Sequence, residues 1–186
     1  MSTGVADPSV RAGGARVALG VAGALLATLL VLTGVLALLS SGASPARSSL
    51  IGSKVSAFTI LPGVNGGAVR APWLSHHAAV LLFFADWCTP CHAELPALAR
   101  SLGTGRLGNT VVVGIDGDAS PSAALSFVTE SGVRFEVAQD ASRAVASSIV
   151  PVFPATVFVT SNGTIAAVHY GVISAVQLRA GAAQLH

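Results

Sequence analysis

The chain has 186 residues, of which 52% are hydrophobic and only 10% are charged, and its formal net charge is +2. A soluble domain usually has about 25% charged residues, so an ordinary soluble domain does not by itself explain this composition. From Ser48 onward seven basic residues balance seven acidic ones and no basic stripe is visible, which argues against nucleic-acid binding.

The apolar excess is concentrated near the N-terminus, where an uncharged run of 23 residues extends from Val17 to Leu39. As a helix it would be about 35 Å long, enough to cross a hydrocarbon core of about 30 Å. A cleaved signal peptide is the alternative, because small residues follow the run and would allow cleavage after Ala43 or Ala46. The apolar region of a signal peptide is, however, typically about 7–15 residues long. We therefore predict an uncleaved transmembrane anchor over residues 17–39.

The segments on either side of this span set the predicted topology. Residues 1–16 contain Arg11 and Arg16 with a single acid, and a short tail with this charge bias is expected to stay in the cytoplasm. Residues 40–50 are rich in Ser, Gly, Ala and Pro, which predicts a flexible linker. Residues 51–186 are then expected to form one domain outside the cytoplasm, long enough for a single core.

The apolar patterns of this domain alternate between strands and helices. The predicted strands are Val55–Ile60, its hairpin partner Gly67–Ala71, Ala79–Ala85, Thr110–Asp116, Arg134–Asp140, Ala155–Thr160 and Thr164–Tyr170. The predicted helices are the stretch after Cys88 to Leu102, Ser120–Gly132, Ala141–Ile149 and a last helix from about Ser174. The hairpin partner aside, the order β-β-α-β-α-β-α-β-β-α predicts an α/β fold with one mixed sheet and helices on both faces.

Both cysteines of the chain lie where a buried strand is predicted to end and a helix to begin. A helix N-terminus offers unpaired N–H groups and a partial positive charge, which stabilise a thiolate. We therefore expect Cys88 to be an exposed nucleophile with a lowered pKa, and Cys91, one turn along, to be the more buried resolving thiol. Pro90 suits the first helical turn. The pair is predicted to exchange disulfides in two steps, by attack of Cys88 on a substrate disulfide and then of Cys91 on Cys88.

The cysteine pair has two alternative roles, as a structural disulfide or as a pair of metal ligands. A structural disulfide between residues three positions apart closes a very short loop and adds little stability in the entropy model. Metal binding is a sharper alternative, because two thiolates and His92 are suitable ligands for Cu(I) or zinc, with His169 as a further ligand. A second C-x-x-C is absent, which argues against a closed zinc site with four ligands.

The segment "FFADWCTPCHAELP", from Phe83 to Pro96, resembles the thioredoxin superfamily, and within it the membrane-anchored TlpA/ResA-type thiol-disulfide oxidoreductases. Its W-C-x-P-C-x-x-E-x-P pattern includes Glu94 and a helix-bending proline. The resemblance extends over most of residues 51–175 and implies a thioredoxin fold. It also implies that Pro154 is a cis-proline facing the cysteines, which leaves the backbone of Phe153 free to pair with a substrate peptide.

The resemblance and the residues together predict the surroundings of the dithiol. Trp87 is expected to pack over the rim of the active site, and Thr89 replaces the glycine of cytoplasmic thioredoxins in the x-P pair. Leu82 occupies the position of the buried acid that thioredoxins carry, so Glu94 or water must accept the proton of the resolving thiol. His92 either stabilises thiolate charge or is simply solvated.

Three further acids and four aromatic residues are expected to lie outside the reacting pair, the acids in polar surroundings and the aromatic residues in the core. Asp86 is expected to be solvated. Asp116 and Asp118 follow a strand and are read as polar turn residues. The aromatic residues predicted for the core are Phe83, Phe84, Phe127 and Phe158.

These features predict a single-pass membrane protein whose extracytoplasmic domain exchanges thiols and disulfides with protein substrates, without a cofactor or metal. The resemblance implies that it is a reductant, for which apocytochrome c is one candidate substrate, and that a membrane partner supplies its electrons. One alternative is an oxidase or isomerase of the same fold, for which that membrane partner would be an electron acceptor. Another is a copper metallochaperone that uses Cys88, Cys91 and His92.

Overall fold

A computed structural model describes residues 50–185 of the chain. The strands are β1 (Ile60–Pro62), β2 (Ala68–Arg70), β3 (Ala78–Phe84), β4 (Arg106–Leu107), β5 (Thr110–Asp116), β6 (Glu136–Gln139), β7 (Ala155–Val159) and β8 (Ile165–Tyr170). The α-helices are α1 (Thr89–Leu102), α2 (Pro121–Glu130), α3 (Ala144–Ile149) and α4 (Ala175–Ala183). A short 3-10 helix, Pro72–Ser75, precedes β3.

The main sheet has six strands built around β3 and β5. β3 lies parallel to β5, which lies parallel to β6, while β7 and β8 continue the sheet in antiparallel register beyond β3. The parallel register brings Phe84 level with Asp116, so both strands end at the same edge of the sheet. This edge, at the carboxyl ends of parallel strands, is where open α/β sheets commonly place functional groups.

Two apolar cores lie on opposite faces of the sheet, because side chains alternate along β3. Leu82 and Phe84 point to one face, which α1, α2 and α4 cover; we call this the cysteine-side core, since both cysteines belong to it. Leu81 and Phe83 point to the other face, covered by α3 and the hairpin of β1 and β2; we call this the far-side core. The predicted α/β fold with helices on both faces is therefore confirmed.

Local sequence signals account for the ends of two helices. Ser120 precedes α2 and caps it, because its hydroxyl accepts a hydrogen bond from the Ala123 N–H. Ser174 precedes α4 and forms a capping box with Gln177. The four predicted core phenylalanines are all buried.

The start of the domain differs from the prediction. The expected strand Val55–Ile60 is wrong in position, since β1 is Ile60–Pro62 and pairs with β2. Val55 and Phe58 are buried in the far-side core, so their apolar spacing reflects packing of an irregular segment. The two-residue β4 was not predicted, because so short a strand leaves no periodicity in the sequence.

The predicted tail, anchor and nearly all of the linker, residues 1–49, lie outside the described residues. Between residues 50 and 185, every helix is too short or too polar to cross a bilayer.

Candidate active site

The cysteines sit at the junction between β3 and α1. The backbone turns directly after the strand, where the Cys88 N–H donates to the carbonyl of Ala85 at 3.1 Å. Cys88 is the N-cap residue of α1 and Pro90 lies in its first turn. The Cys91 N–H donates to the Cys88 carbonyl at 2.9 Å, which places both sulfurs at the positive end of the helix.

Cys88 and Cys91 form a disulfide with an S–S distance of 2.03 Å. Cys88 is only 5% exposed and Cys91 is fully buried, so the expectation of an exposed Cys88 is wrong in degree, although Cys88 remains the outer of the two. The physical reason is that the disulfide is turned inwards and both residues join the cysteine-side core, together with Phe84 and Ile173. Of the two cysteines, Cys88 is therefore the one that a partner can reach, while Cys91 is inaccessible.

A second loop, which follows α3, packs against the residue that precedes Cys88. The Phe153–Pro154 peptide bond is cis, as the resemblance implied for Pro154, and Pro154 is buried while Phe153 is half-buried. The ring of Phe153 stacks on that of Trp87, with centroids 5.3 Å apart. Because Trp87 precedes Cys88, this stack joins the cysteine loop to the Phe153–Pro154 loop. The predicted packing of Trp87 at the rim is consistent with this position, where the side chain stays 57% exposed.

Phe153 also rests on the backbone after β5. A Cβ atom at Gly117 would lie 2.6 Å from the Phe153 ring, so the ring occupies the space that a side chain would need. The Gly117 N–H donates to the carbonyl of Phe84 at 2.9 Å. Three loops therefore meet at this edge of the sheet.

Sequence reasoning missed one cation at this edge. The guanidinium carbon of Arg143 lies 5.7 Å from the centre of the Trp87 ring, within range of a cation–π contact. Arg143 stands in a polar stretch before α3, which gives no signal in the sequence. A shallow pocket of about 100 Å³ opens beside it, next to the cysteine loop. Its lining residues are Trp87, Arg143, Ala146, Ser147, Val150, Pro151, Val152 and Phe153.

Glu94 lies on the second turn of α1 and is 7% exposed. Its Oε1 accepts a hydrogen bond of 2.6 Å from the Ile173 N–H, which ties α1 to the segment before α4. Burial raises the pKa of Glu94, and the Ile173 hydrogen bond and the charge of His169 partly offset this rise. The predicted support residue is thus a buried carboxyl beside the cysteine-side core, and His169 lies near it.

Asp116 and Asp118 are not the polar turn residues that the sequence suggested. Asp116 is fully buried and Asp118 is 4% exposed, because β5 is covered on both faces as far as its last residue. The Asp118 N–H donates to Asp116 Oδ1 at 2.9 Å. Burial, and next the charge of Asp118, raise the pKa of Asp116 to about 7, while the hydrogen bond from the Asp118 N–H opposes the rise. The signal was available, since Asp116 ends a run of buried strand residues.

The remaining predicted residues lie at the surface of the site. Thr89 is exposed, and Asp86 and His92 are each about half exposed. His92 Nε2 donates to the Asp86 carbonyl at 2.6 Å and lies 3.6 Å from Asp86 Oδ1, while its ring packs on Phe127 at 4.6 Å. Within residues 50–185, no three Cys, His, Asp or Glu side chains are grouped as metal ligands. Cys88, Cys91 and His92 therefore do not form a ligand set in this conformation.

This arrangement can perform thiol chemistry. The outer sulfur of a disulfide at a helix N-terminus is the one a thiolate can reach, and the helix end stabilises the thiolate released there. The buried partner, one turn along the helix, is held within bonding distance for ring closure.

Comparison with known proteins agrees with this geometry. The sequence model of the AhpC/TSA family matches residues 51–168. Thiol-disulfide oxidoreductase ResA of Bacillus subtilis is 26% identical over 116 residues, which cover 62% of this chain and 65% of that protein. This chain thus matches somewhat less than two thirds of the length of that curated relative.

Two solved structures are similar. A secreted disulfide oxidoreductase of Mycobacterium tuberculosis homologous to Escherichia coli DsbE is 28% identical, with a TM-score of 0.59, and the match covers 69% of this chain and 96% of that one. DsbF of the same organism is 26% identical, with a TM-score of 0.61 and coverage of 71% and 97%. The thioredoxin-like fold predicted from the motifs is confirmed, and the chain belongs to the AhpC/TSA family, with homology to ResA-type thiol-disulfide oxidoreductases.

Proposed function

We propose that the protein is an extracytoplasmic thiol-disulfide oxidoreductase, anchored by residues 17–39, that exchanges disulfides with protein substrates. One observation carries the proposal: the Cys88–Cys91 disulfide lies at the N-terminus of α1, and the residue before it, Trp87, stacks on Phe153 of the cis-proline loop. The similarity to proteins named thiol-disulfide oxidoreductases supports it.

The reaction follows from the different burial of the two sulfurs. In the reduced protein the Cys88 thiolate attacks a substrate disulfide, forms a mixed disulfide and releases one substrate thiolate. Cys91, fully buried and one turn away, then loses its proton and attacks the Cys88 sulfur, which releases the second substrate thiolate. Two electrons pass to the substrate, two protons complete its thiols, and the Cys88–Cys91 bond forms again. Phe153, beside the disulfide, would pair with the backbone of the substrate.

We propose that the physiological direction is reduction, with a membrane partner as the electron donor and apocytochrome c as a candidate substrate. This direction extends the resemblance to ResA-type proteins. The alternative, an oxidase or isomerase on the same fold, predicts a much higher reduction potential. A potential near −120 mV would identify a strong oxidant, and a value far below it a reductant.

The main experiment measures insulin reduction by the full-length protein and by two variants. Cys88→Ser should abolish turnover, and Cys91→Ser should trap a mixed disulfide that is visible on a non-reducing gel. Val176→Ala, at a 78% exposed position on α4, is the control and should retain turnover. Unchanged activity of both cysteine variants would exclude the proposed mechanism.

The anchor and its orientation require a separate experiment. In intact cells that express the full-length protein, a membrane-impermeant maleimide should label the reduced cysteines without lysis. Since both cysteines of the chain lie in the active site, labelling reports directly on the side of the membrane that the domain faces. Labelling only after lysis would contradict the extracytoplasmic location.

A further inference from the structure

Two buried carboxyl groups lie behind the loop that carries Cys88, and the mechanism above does not use them. Asp116 is fully buried at the end of β5, and its Oδ2 has no hydrogen-bond partner among residues 50–185. Asp118, two residues later, is 4% exposed. The Asp118 N–H donates to Asp116 Oδ1, and the charge of Asp118 opposes ionisation of Asp116. Two such buried carboxyl groups rarely ionise together, because the second negative charge is neither solvated nor paired.

The pair is connected to the cysteine loop by a hydrogen bond. The Asp86 N–H donates to Asp118 Oδ2 at 2.8 Å, and Asp86 is only two residues before Cys88. The residue between the two acids, Gly117, donates its N–H to the carbonyl of Phe84. The Asp116–Asp118 segment is therefore fixed against the backbone that leads into the N-terminus of α1.

The charged groups around the pair do not neutralise it. Asp86 adds a further negative charge from the cysteine loop, and His92 Nε2 on α1 lies 3.6 Å from its Oδ1. The Asp140 N–H, after β6, donates to the Asp116 backbone carbonyl, whereas Asp140 Oδ2 accepts from the Ala146 N–H on α3.

The cation of Arg143 is also engaged elsewhere. The side-chain carbons of Arg143 come near Gly117, but its guanidinium lies over the ring of Trp87. Among the described residues, no salt bridge to either acid of the pair is formed.

We propose that Asp116 and Asp118 share one proton and thereby control the reactivity of Cys88, so that loss of this proton suppresses ionisation of the Cys88 thiol. The two acids are positioning residues that act through the charge they place behind the cysteine loop. With the proton present, the pair carries one negative charge. Without it the pair carries two, and a nearby thiolate becomes harder to form. This inference rests on the proposed function, because it concerns the same nucleophile.

The titration of Asp116 supports this role. The pKa of Asp116, raised to about 7 by burial, places the loss of the proton in the neutral range. The charge behind Cys88 would then change just where a thiol at a helix N-terminus ionises. As the pH rises through neutrality, the fraction of Cys88 present as thiolate should therefore increase less steeply than it would for a cysteine without a neighbouring titrating group.

The test is the rate of alkylation of Cys88 by iodoacetamide between pH 5.5 and 9. It uses the full-length protein with Cys91→Ala, so that a single thiol reacts. Asp116→Asn carries one negative charge at every pH, like the protonated pair. At pH 5.5 the variant should therefore react at the same rate as the parent, and through the neutral range its rate should rise at a lower pH than the rate of the parent. The parent profile should be shallower than a one-proton titration, and the variant profile should not.

Two controls separate this effect from a general loss of charge. Asp140→Asn removes an equally buried carboxylate whose Oδ2 already has a backbone partner, and should leave the profile unchanged. Asp86→Asn removes an exposed charge closer to Cys88 in sequence, and should shift the rate without restoring a one-proton profile. Parallel profiles for the parent and Asp116→Asn would overturn the proposal.

A second measurement covers the case in which the Asp116→Asn variant does not fold. In the unaltered full-length protein, ¹³C NMR of labelled aspartate should show one carboxyl that titrates between about pH 6 and 8. If every carboxyl titrates below about pH 5, the proposal is wrong. Neither measurement needs a substrate disulfide, so a failure of insulin reduction would count against the proposed function and not against the shared proton.

Discussion

The two cores on either side of the sheet differ in the kinds of side chain that they contain. The far-side core is apolar, with Leu81 and Phe83 of β3 packed against Val113 and Ile115 of β5. The cysteine-side core contains both cysteines, and buried Glu94 lies on the helix that covers it. Asp116 ends β5 level with Phe84, on the same face. The cysteine side therefore contains carboxyl groups that are costly to bury, whereas the buried carboxylate beside α3 on the far side, Asp140, accepts a hydrogen bond from the Ala146 N–H.

This difference indicates how the chain can hold ionisable groups in its interior. A buried carboxyl without a full set of partners destabilises a fold by an amount that only other contacts can offset. The continuous apolar packing of the far side provides such contacts. We therefore expect substitutions on the far side to change stability alone, and substitutions on the cysteine side to change its pH dependence or the reactivity of the dithiol.

The largest effect should come from the far side. Leu81→Ala removes a fully buried side chain from the centre of the sheet and should lower the free energy of unfolding by about 2–5 kcal/mol, because it leaves a cavity. Urea unfolding measures this loss, and the reduction potential of the remaining folded protein should not change. Leu125→Ala makes the same substitution at a 45% exposed position and is the matched control. An altered reduction potential in Leu81→Ala would contradict the separate roles of the two faces.

The next effect is a dependence of stability on pH. The pKa of Asp116 is about 7 in the folded state, against 3.8 for the unperturbed group, so the folded state binds the proton more tightly. The stabilisation is complete below about pH 4 and is lost as the pH rises through about 7, with a full magnitude of about 4 kcal/mol, of which about 2.5 kcal/mol is lost between pH 5 and pH 8. Unfolding in urea at pH 5 and pH 8 should show this loss in the natural protein.

Asp116→Asn tests this assignment, because it removes the titrating group and keeps an acceptor for the Asp118 N–H. The difference in stability between pH 5 and pH 8 should shrink by most of that amount. Asp140→Asn should retain the full difference. Equal slopes in all three proteins would show that Asp116 is ionised throughout.

Glu94 should give an intermediate effect. Glu94→Ala leaves the buried Ile173 N–H without its acceptor and should cost about 1–3 kcal/mol of unfolding free energy. Glu94→Gln keeps an acceptor oxygen and should lose less, while it removes the charge. If chemical denaturation gives equal losses for the two variants, the hydrogen bond to Ile173 is not the stabilising contact.

The smallest effect is expected at the rim. Trp87→Ala removes the stack on Phe153 and the contact with Arg143, and should change the unfolding free energy by about 1 kcal/mol, since the side chain is largely exposed. Its effect on KM for insulin should be the more visible one. Val176→Ala, at a 78% exposed apolar residue on α4, should alter neither quantity. A large loss of stability in Trp87→Ala would show that Trp87 stabilises the fold as a core residue does, and would contradict this expectation.

The sequence predicts best those features that depend on local patterns. The runs that became β3 and β5 and the starts of the helices near Ser120 and Ser174 were predicted to within a residue. The cysteines were placed correctly at a strand–helix junction, because an apolar run ends where the C-x-x-C begins. Hydrophobic periodicity and capping act over a few residues, and that is the range a single sequence displays.

Features that arise from packing between distant segments were missed. Val55–Ile60 has a strand-like composition, yet its segment is irregular and packs against the far-side core. Cys88 was expected at the surface, but it is covered in the folded domain. Arg143 reaches Trp87 across more than fifty positions. Each of these depends on which segments meet in space, and burial cannot be assigned from one segment alone.

The contact between Gly117 and Phe153 limits which sequences this site tolerates. The backbone at Gly117 is not in the left-handed region, so its conformation would suit any residue, and only the Phe153 ring excludes a side chain. A library randomised at position 117 should therefore return glycine as long as phenylalanine stands at 153. A design that transfers this site to another scaffold would therefore have to transfer Gly117 and Phe153 together.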